Sequence, residues 1–281
     1  MGSLKSLMLA GAAAFVIIPG AHAADLGPLA PPPVAPPVED CCGGWYLRGD
    51  VGVGTIRNAK WFDTDNAAVG GFFAQQANAD VSFIGGGIGY QWNSWLRVDA
   101  TAELRGATEF KATDSLFNGF VQNPNGSFGS QQFNFFETKV SSIVVLANVY
   151  ADLGTWWCLT PFIGAGVGGA LNTVRGMTDM GAFSSGAVGG FGFADDHDKW
   201  NLAWAIHAGV AYNVSNNLKL EFAYRYLNLG DAMSGTLHCG NGCTSAPVEI
   251  HDIQSHDFKI GMRWLLNEPP PPPPPPIMRK G

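Results

Sequence analysis

Between Trp95 and Arg105 the chain alternates without a fault, with Leu96, Val98, Ala100, Ala102 and Leu104 on one side and Arg97, Asp99, Thr101, Glu103 and Arg105 on the other. A β-strand sends successive side chains to opposite faces, so this stretch reads as a strand with one apolar face and one charged face. No helical phase separates the two sets. Alternation alone does not say which face looks inward, because a soluble sheet around an apolar core and a barrel with an apolar exterior give the same string. About ten alternating residues is, however, the length of a tilted strand across a bilayer. The charged face also carries both signs, at spacings where neighbouring strands can neutralise it. The expectation is a strand of a transmembrane β-barrel.

Seven further segments alternate in the same way: 45–53, 81–92, 142–152, 160–171, 200–213, 218–226 and 255–266. The links after residues 92, 152 and 213 are short, whereas 56–79, 107–136, 172–199 and 229–252 are long, and 107–136 is rich in Asn, Gly, Ser and Gln. Short turns alternating with long loops is the asymmetry of an outer-membrane barrel. The fold expected is therefore all-β, an eight-stranded antiparallel transmembrane β-barrel with short periplasmic turns and long external loops. High glycine content and few charged residues (37 glycines, 14% Asp, Glu, Lys and Arg) fit tight turns and close-packed walls.

Inside and outside are decided by the charges. Facing lipid, Arg97 or Arg105 would cost about 2–4 kcal/mol near the midplane. Facing inward, Arg97, Asp99, Glu103 and Arg105 meet Arg48, Asp50, Asp152, Lys219, Glu221, Arg225, Asp257, Lys259 and Arg263 from the other strands. The two signs nearly balance. An eight-stranded barrel has an interior only wide enough for side chains to fill, so a mutually paired polar lumen is expected, plugged rather than open. A lipocalin-like soluble barrel would instead place Trp204, Tyr212, Phe222, Tyr224 and Tyr226 inside.

Residues 1–23 read as a signal peptide: Lys5, an apolar run from Leu7 to Ile18, and Ala21-His22-Ala23 before the cleavage point. Residues 24–43 form a Pro-rich periplasmic linker, 44–266 the barrel, and 267–281 a Pro-rich C-terminal tail. Two readings of the tail stand: a tolerated extension with no partner, or a stiff spacer carrying Arg279 and Lys280 toward anionic periplasmic or cell-wall material. A formal net charge of −7 argues against nucleic acid as a partner. Five cysteines are permissible in an exported chain, and Cys239-Gly-Asn-Gly-Cys243 suits a small disulfide loop. The alternative is a zinc site drawn from His238, Cys239, Cys243, His251 and His256. Asp195, Asp196, His197 and Asp198 offer oxygen ligands, but their spacing matches no calcium loop, so a solvated acidic loop tip is expected. His207 is an inward histidine of the 200–213 strand, expected to hydrogen-bond within the polar core. No nucleophile, base and orienting group assemble around it, so no enzyme activity, metal or cofactor is expected.

Several segments in chain order resemble the small outer-membrane β-barrel proteins of alphaproteobacteria, often labelled porin-family, opacity-like or outer-membrane immunogenic proteins. They are Gly44 to Asp50, Gly86 to Gln91, Leu96 to Asp99, Asn148 to Gly154, Pro161 to Gly168 and Tyr224 to Asp231. The resemblance implies a surface-exposed structural protein of the envelope, assembled by the barrel assembly machinery, with no catalytic residues to carry over. Its partners would be outer-membrane lipids and cell-wall or host surfaces. A small diffusion pore is the alternative. Such barrels usually end on an aromatic residue. Here Lys259-x-Gly261-x-x-Trp264-x-Leu266 looks like the terminal signal, but eight prolines and Ile-Met-Arg-Lys-Gly follow.

Overall fold

The computed structural model describes residues 43–57, 59–63, 72–76, 79–116, 132–183 and 188–266. The expected signal peptide, most of the linker and the C-terminal tail lie outside the described residues. Eight long antiparallel strands close into a ring: β1 (Gly44–Arg57), β4 (Ala79–Gln91), β5 (Leu96–Leu116), β6 (Gln132–Asp152), β7 (Leu159–Phe183), β9 (His197–Asn213), β10 (Leu218–Met233) and β13 (Val248–Leu265). Each pairs with its neighbour, and β13 returns to β1 with Val51 opposite Ile260. Five short strands decorate the long-loop end: β2 (Lys60–Asp63), β3 (Phe72–Gln76), β8 (Val188–Ala194), β11 (Leu237–Cys239) and β12 (Thr244–Ser245).

Three links at the other end are tight. Asn93 Oδ1 accepts from the backbone N–H groups of Trp95 and Leu96 and closes the β4–β5 turn. Ser215 Oγ accepts from Leu218 N in the β9–β10 turn, and Gly154 (φ +108°) begins the turn from β6 into β7. The lower outer wall is apolar on every ring strand, as Leu47, Ile88, Leu104, Val145, Ile163, Ile206, Phe222 and Ile260 are all exposed. Trp45, Tyr90, Trp92, Trp95 and Trp264 gather near the tight turns, while Trp204, Tyr226 and His256 pack together higher up. An apolar band between two aromatic girdles is what a bilayer requires of a barrel wall.

Two of the interior aromatics occupy space that glycines leave. Tyr46 faces Gly89 across the β1–β4 pair, and its ring lies where a Cβ of Gly89 would stand. Tyr150 covers Gly164 in the same way on β6 and β7. Each ring lies flat on a neighbouring strand instead of standing into the lumen.

The strands do not end where the alternation of the sequence breaks. The long segments 107–136 and 172–199 contain the upper halves of β5 and β7 and the upper end of β6, and β7 alone has 25 residues. At about 3.3 Å per residue that strand runs roughly 80 Å, far more than a tilted crossing needs. Above the apolar band the wall reverses. Outward positions become Glu109, Lys111, Glu137 and Lys139, and inward positions become Phe110, Phe136, Val140, Val174, Leu227, Leu229 and Ile250. The upper interior is thus a hydrophobic core, capped by Trp61 and Leu237 from the short strands. The expectation of a polar lumen holds only for the lower part of the barrel. Within the bilayer the exterior must be apolar and the charges turn inward; above it the exterior meets water and ordinary burial returns.

Candidate functional site

The lower interior is built from alternate residues of the ring strands, and it has two layers. In the lower layer Arg48 on β1 donates to Asp50 (2.9 and 2.8 Å), to Asp99 (2.7 Å) and to the Tyr150 hydroxyl (3.1 Å). It also reaches Glu221 at 3.3 Å. Arg97 on β5 donates to Asp152 at 3.1 Å and lies 3.4 Å from Glu221. Its guanidinium lies against the rings of Tyr150 (4.2 Å) and Phe162 (4.7 Å), which meet edge to face. Arg263 on β13 approaches Glu221 at 3.1 Å and donates to Gln91 at 3.2 Å. Lys259 sits 3.6 Å from Asp50, and Lys219 is buried on the same face of β10.

In the upper layer Arg105 and Arg225 clasp Asp257 and Glu103. Arg105 donates to Asp257 at 2.9 and 3.0 Å and to Glu103 at 2.8 Å. Arg225 donates to Asp257 at 2.6 and 2.9 Å and to Glu103 at 2.8 Å. Phe83 lies against both guanidiniums, at 4.9 and 5.0 Å. Burying an unpaired charge costs several kcal/mol, so this density of charge requires near-complete pairing.

Two of these contacts join opposite walls. In the ring order, β5 and β10 stand four strands apart either way round. Arg97 of β5 nevertheless meets Glu221 of β10, and Glu103 of β5 meets Arg225 of β10. The structure thus brings together Arg48, Asp50, Arg97, Asp99, Asp152, Glu221, Lys259 and Arg263 in one network, and Glu103, Arg105, Arg225 and Asp257 in another. His207 shares this interior at 3.3 Å from Asn148 Oδ1, and Asn148 in turn donates to Asp99 at 2.8 Å.

Reading the charges alone passed over the neutral groups that complete the network: Tyr46, Gln91, Phe83, Tyr150, Phe162 and Ser255. Their signal was positional, since each sits on the inward phase of its strand.

The remaining candidates separate. Cys239 and Cys243 form a disulfide, and the three histidines once grouped with them disperse. His238 meets Asp195 at 3.1 Å, His251 meets Glu249 at 2.6 Å, and His256 meets the Tyr224 hydroxyl at 2.6 Å. The zinc alternative is corrected on that ground, because a disulfide removes both thiolates and the imidazoles point to different partners. Asp196 accepts from the backbone N–H of Gly176 at 3.1 Å. Cys158 is free and exposed in the β6–β7 turn; Cys41 and Cys42 lie outside the described residues.

Above the bilayer band the outer face carries a feature the alternation did not suggest. Phe135, Met180 and Phe191 stand in register across β6, β7 and β8, all exposed. Phe193 follows on β8 and packs on His238 at 5.5 Å. Ser141, Lys139 and Glu137 separate this ridge from the lower apolar belt on β6. The Lys111 ammonium, in an ion pair with Glu137 beside the ridge, has its pKa raised by that carboxylate. A hydrogen bond from Lys60 holds Asp252 below the usual carboxylate range on the same upper exterior.

Comparison with known proteins agrees with this architecture. The family described as outer membrane protein beta-barrel domain matches residues 11–264. An uncharacterised protein of Brucella abortus (strain 2308) is 31% identical over 232 residues, covering 75% of this chain and 77% of that protein. A putative adhesin of Rickettsia bellii (strain RML369-C) is 24% identical over 226 residues, 79% of this chain and 89% of the relative. The crystal structure of the outer membrane protein OprG from Pseudomonas aeruginosa aligns over 82% of this chain and 99% of its own, at 13% identity and a TM-score of 0.43. With nearly the whole described ring inside the family match and a relative at 31% identity across three quarters of the chain, the protein belongs to the outer-membrane β-barrel family.

Proposed function

We propose that this outer-membrane barrel is a closed, surface-exposed structural protein that contributes to envelope integrity and to interactions at the cell surface. The observation that carries the reading is the pair of contacts between opposite walls, Arg97 with Glu221 and Arg225 with Glu103. A hydrated diffusion path would have to pass both levels, and each is bridged by side chains already hydrogen-bonded to other partners. The apolar core stacked above them adds a second barrier. The exposed ridge of Phe135, Met180 and Phe191, set on a projection above the membrane band, suits contact with other surfaces. The name of the Rickettsia relative, a putative adhesin, accords with such a role.

Conductance decides between a closed barrel and a small diffusion pore. The purified, refolded protein in planar bilayers is expected to give no steady current at moderate voltage. Reproducible open channels of uniform conductance would overturn the closed reading and favour the pore.

A further inference from the structure

Along the lipid-facing wall of β10, β13 and β1 the outward side chains leave a trough of about 720 Å³, walled by Val51, Val53, Phe222, Tyr224, Phe258 and Ile260. At its upper end, through Val53, Ser82 and Phe258, it runs into a dimple of about 410 Å³ lined by Thr55, Asp80 and His256. The two parts differ in chemistry and in depth. Thr55 stands ten positions along β1 from Trp45 of the lower girdle, which at the usual strand tilt is roughly 25 Å, the height of a barrel's apolar band. The dimple is therefore at the outer boundary of the bilayer and the trough lies below it, among acyl chains.

Polar groups in the dimple are arranged to accept or share protons. Asp80 accepts from the Thr55 hydroxyl at 2.9 Å, leaving its other oxygen open to a further donor. The Tyr224 hydroxyl meets His256 Nδ1 at 2.6 Å. Beside them Tyr226 lies edge-on to His256 (5.4 Å) and Trp204 packs on Tyr226 (5.3 Å), extending an aromatic shelf along the boundary. The only cation among the described lining residues is Lys259, and its ammonium is turned inward to Asp50. A carboxylate in a lining that offers no outward cation disfavours phosphate and accepts O–H and N–H donors. Aromatic faces at this height suit the C–H faces of a sugar.

We propose that the trough and dimple together hold one glycolipid of the outer leaflet, its acyl chain lying in the trough and a sugar hydroxyl or amide donating to Asp80 beside His256. The site depends on the outer wall alone and is independent of whether the lumen conducts.

The test uses the full chain in vesicles containing equal amounts of phosphatidylethanolamine and lipid A, with retained lipid read by native mass spectrometry. The wild type is expected to retain lipid A in preference to the phospholipid. Ser82→Trp, which fills the junction of trough and dimple, and Asp80→Ala should each reduce that retention at least fivefold. Val149→Trp, on a distant lipid-facing strand, should leave it unchanged. Lipid A stripped of its phosphates should be retained as well as the intact form. Heat-modifiable migration on gels checks that each variant folds, and if Ser82→Trp does not fold, Asp80→Ala decides alone. Equal retention of the two lipids, retention unaffected by Asp80→Ala, or loss of the dephosphorylated form would each overturn the proposal.

Discussion

Glu221 is fully surrounded by cations, with Arg48, Arg97 and Arg263 at 3.3, 3.4 and 3.1 Å. It is the single carboxylate on which β1, β5 and β13 converge from β10. Removing it deletes the one carboxylate that three buried guanidiniums share, leaving Arg48 to Asp50 and Asp99, and Arg97 and Arg263 to Asp152 alone. Glu221→Ala is expected to cost about 3–5 kcal/mol, the range for breaking a buried pair by deleting one partner. Urea unfolding of the barrel in lipid vesicles measures the loss, and a change below about 1 kcal/mol would show that the lumen is wet enough to screen these charges. The identity of most network members was readable from the sequence, because charge on the inward phase of a lipid-facing strand leaves few alternatives. Their partners were not readable. Arg97 meets Glu221, 124 positions away in the chain, because β5 and β10 face each other across the lumen, and that follows from ring closure and side-chain length rather than from local pattern.

At the level of strands, the alternation marked all eight members of the ring but cut several of them short. The reasons are local. β5 was expected to end near Arg105, where a bulge between Arg105 and Thr108 shifts the phase of the strand. A second irregularity on β6 and β7 lies between Glu137 and Lys139, and a third on β10 and β13 follows Asn228. Each bulge inserts a residue into one strand of its pair, β5, β7 and β10 respectively, and moves the inward set of that strand from one parity to the other. On β6, where the inward parity is kept from Asp152 to Asn134, the polarity of the two faces inverts instead, as Leu146, Val144 and Val140 point inward. A two-residue pattern sought with a single phase and a single sign stops at such points. The topology has its own test. An epitope inserted after Asp196, in the turn from β8 to β9, is expected to bind antibody on intact cells, while the same epitope after Asn216, in the tight β9–β10 turn, should bind only once the outer membrane is permeabilised. The opposite pattern would invert the barrel in the membrane.

The whole molecule combines two solutions to burial on one set of strands. Within the bilayer it is apolar outside and ionic inside; above the bilayer it is ionic outside and apolar inside. Apart from the exposed ridge of Phe135, Met180 and Phe191, the inversion matches the outer face of the strands to the solvent at each level, and it stacks a hydrophobic core on the charge network. Tryptophan fluorescence of single-tryptophan forms, in vesicles of acyl-brominated lipid, probes both halves at once. Trp264 and Trp204 lie on the outer wall, whereas Trp61 is buried at 4% exposure beside Phe136 in the upper core. Brominated chains are expected to quench Trp264 and Trp204 and to leave Trp61 unaffected, and aqueous acrylamide should also fail to quench Trp61. Quenching of Trp61 by lipid, or ready access of acrylamide to it, would contradict the inverted wall.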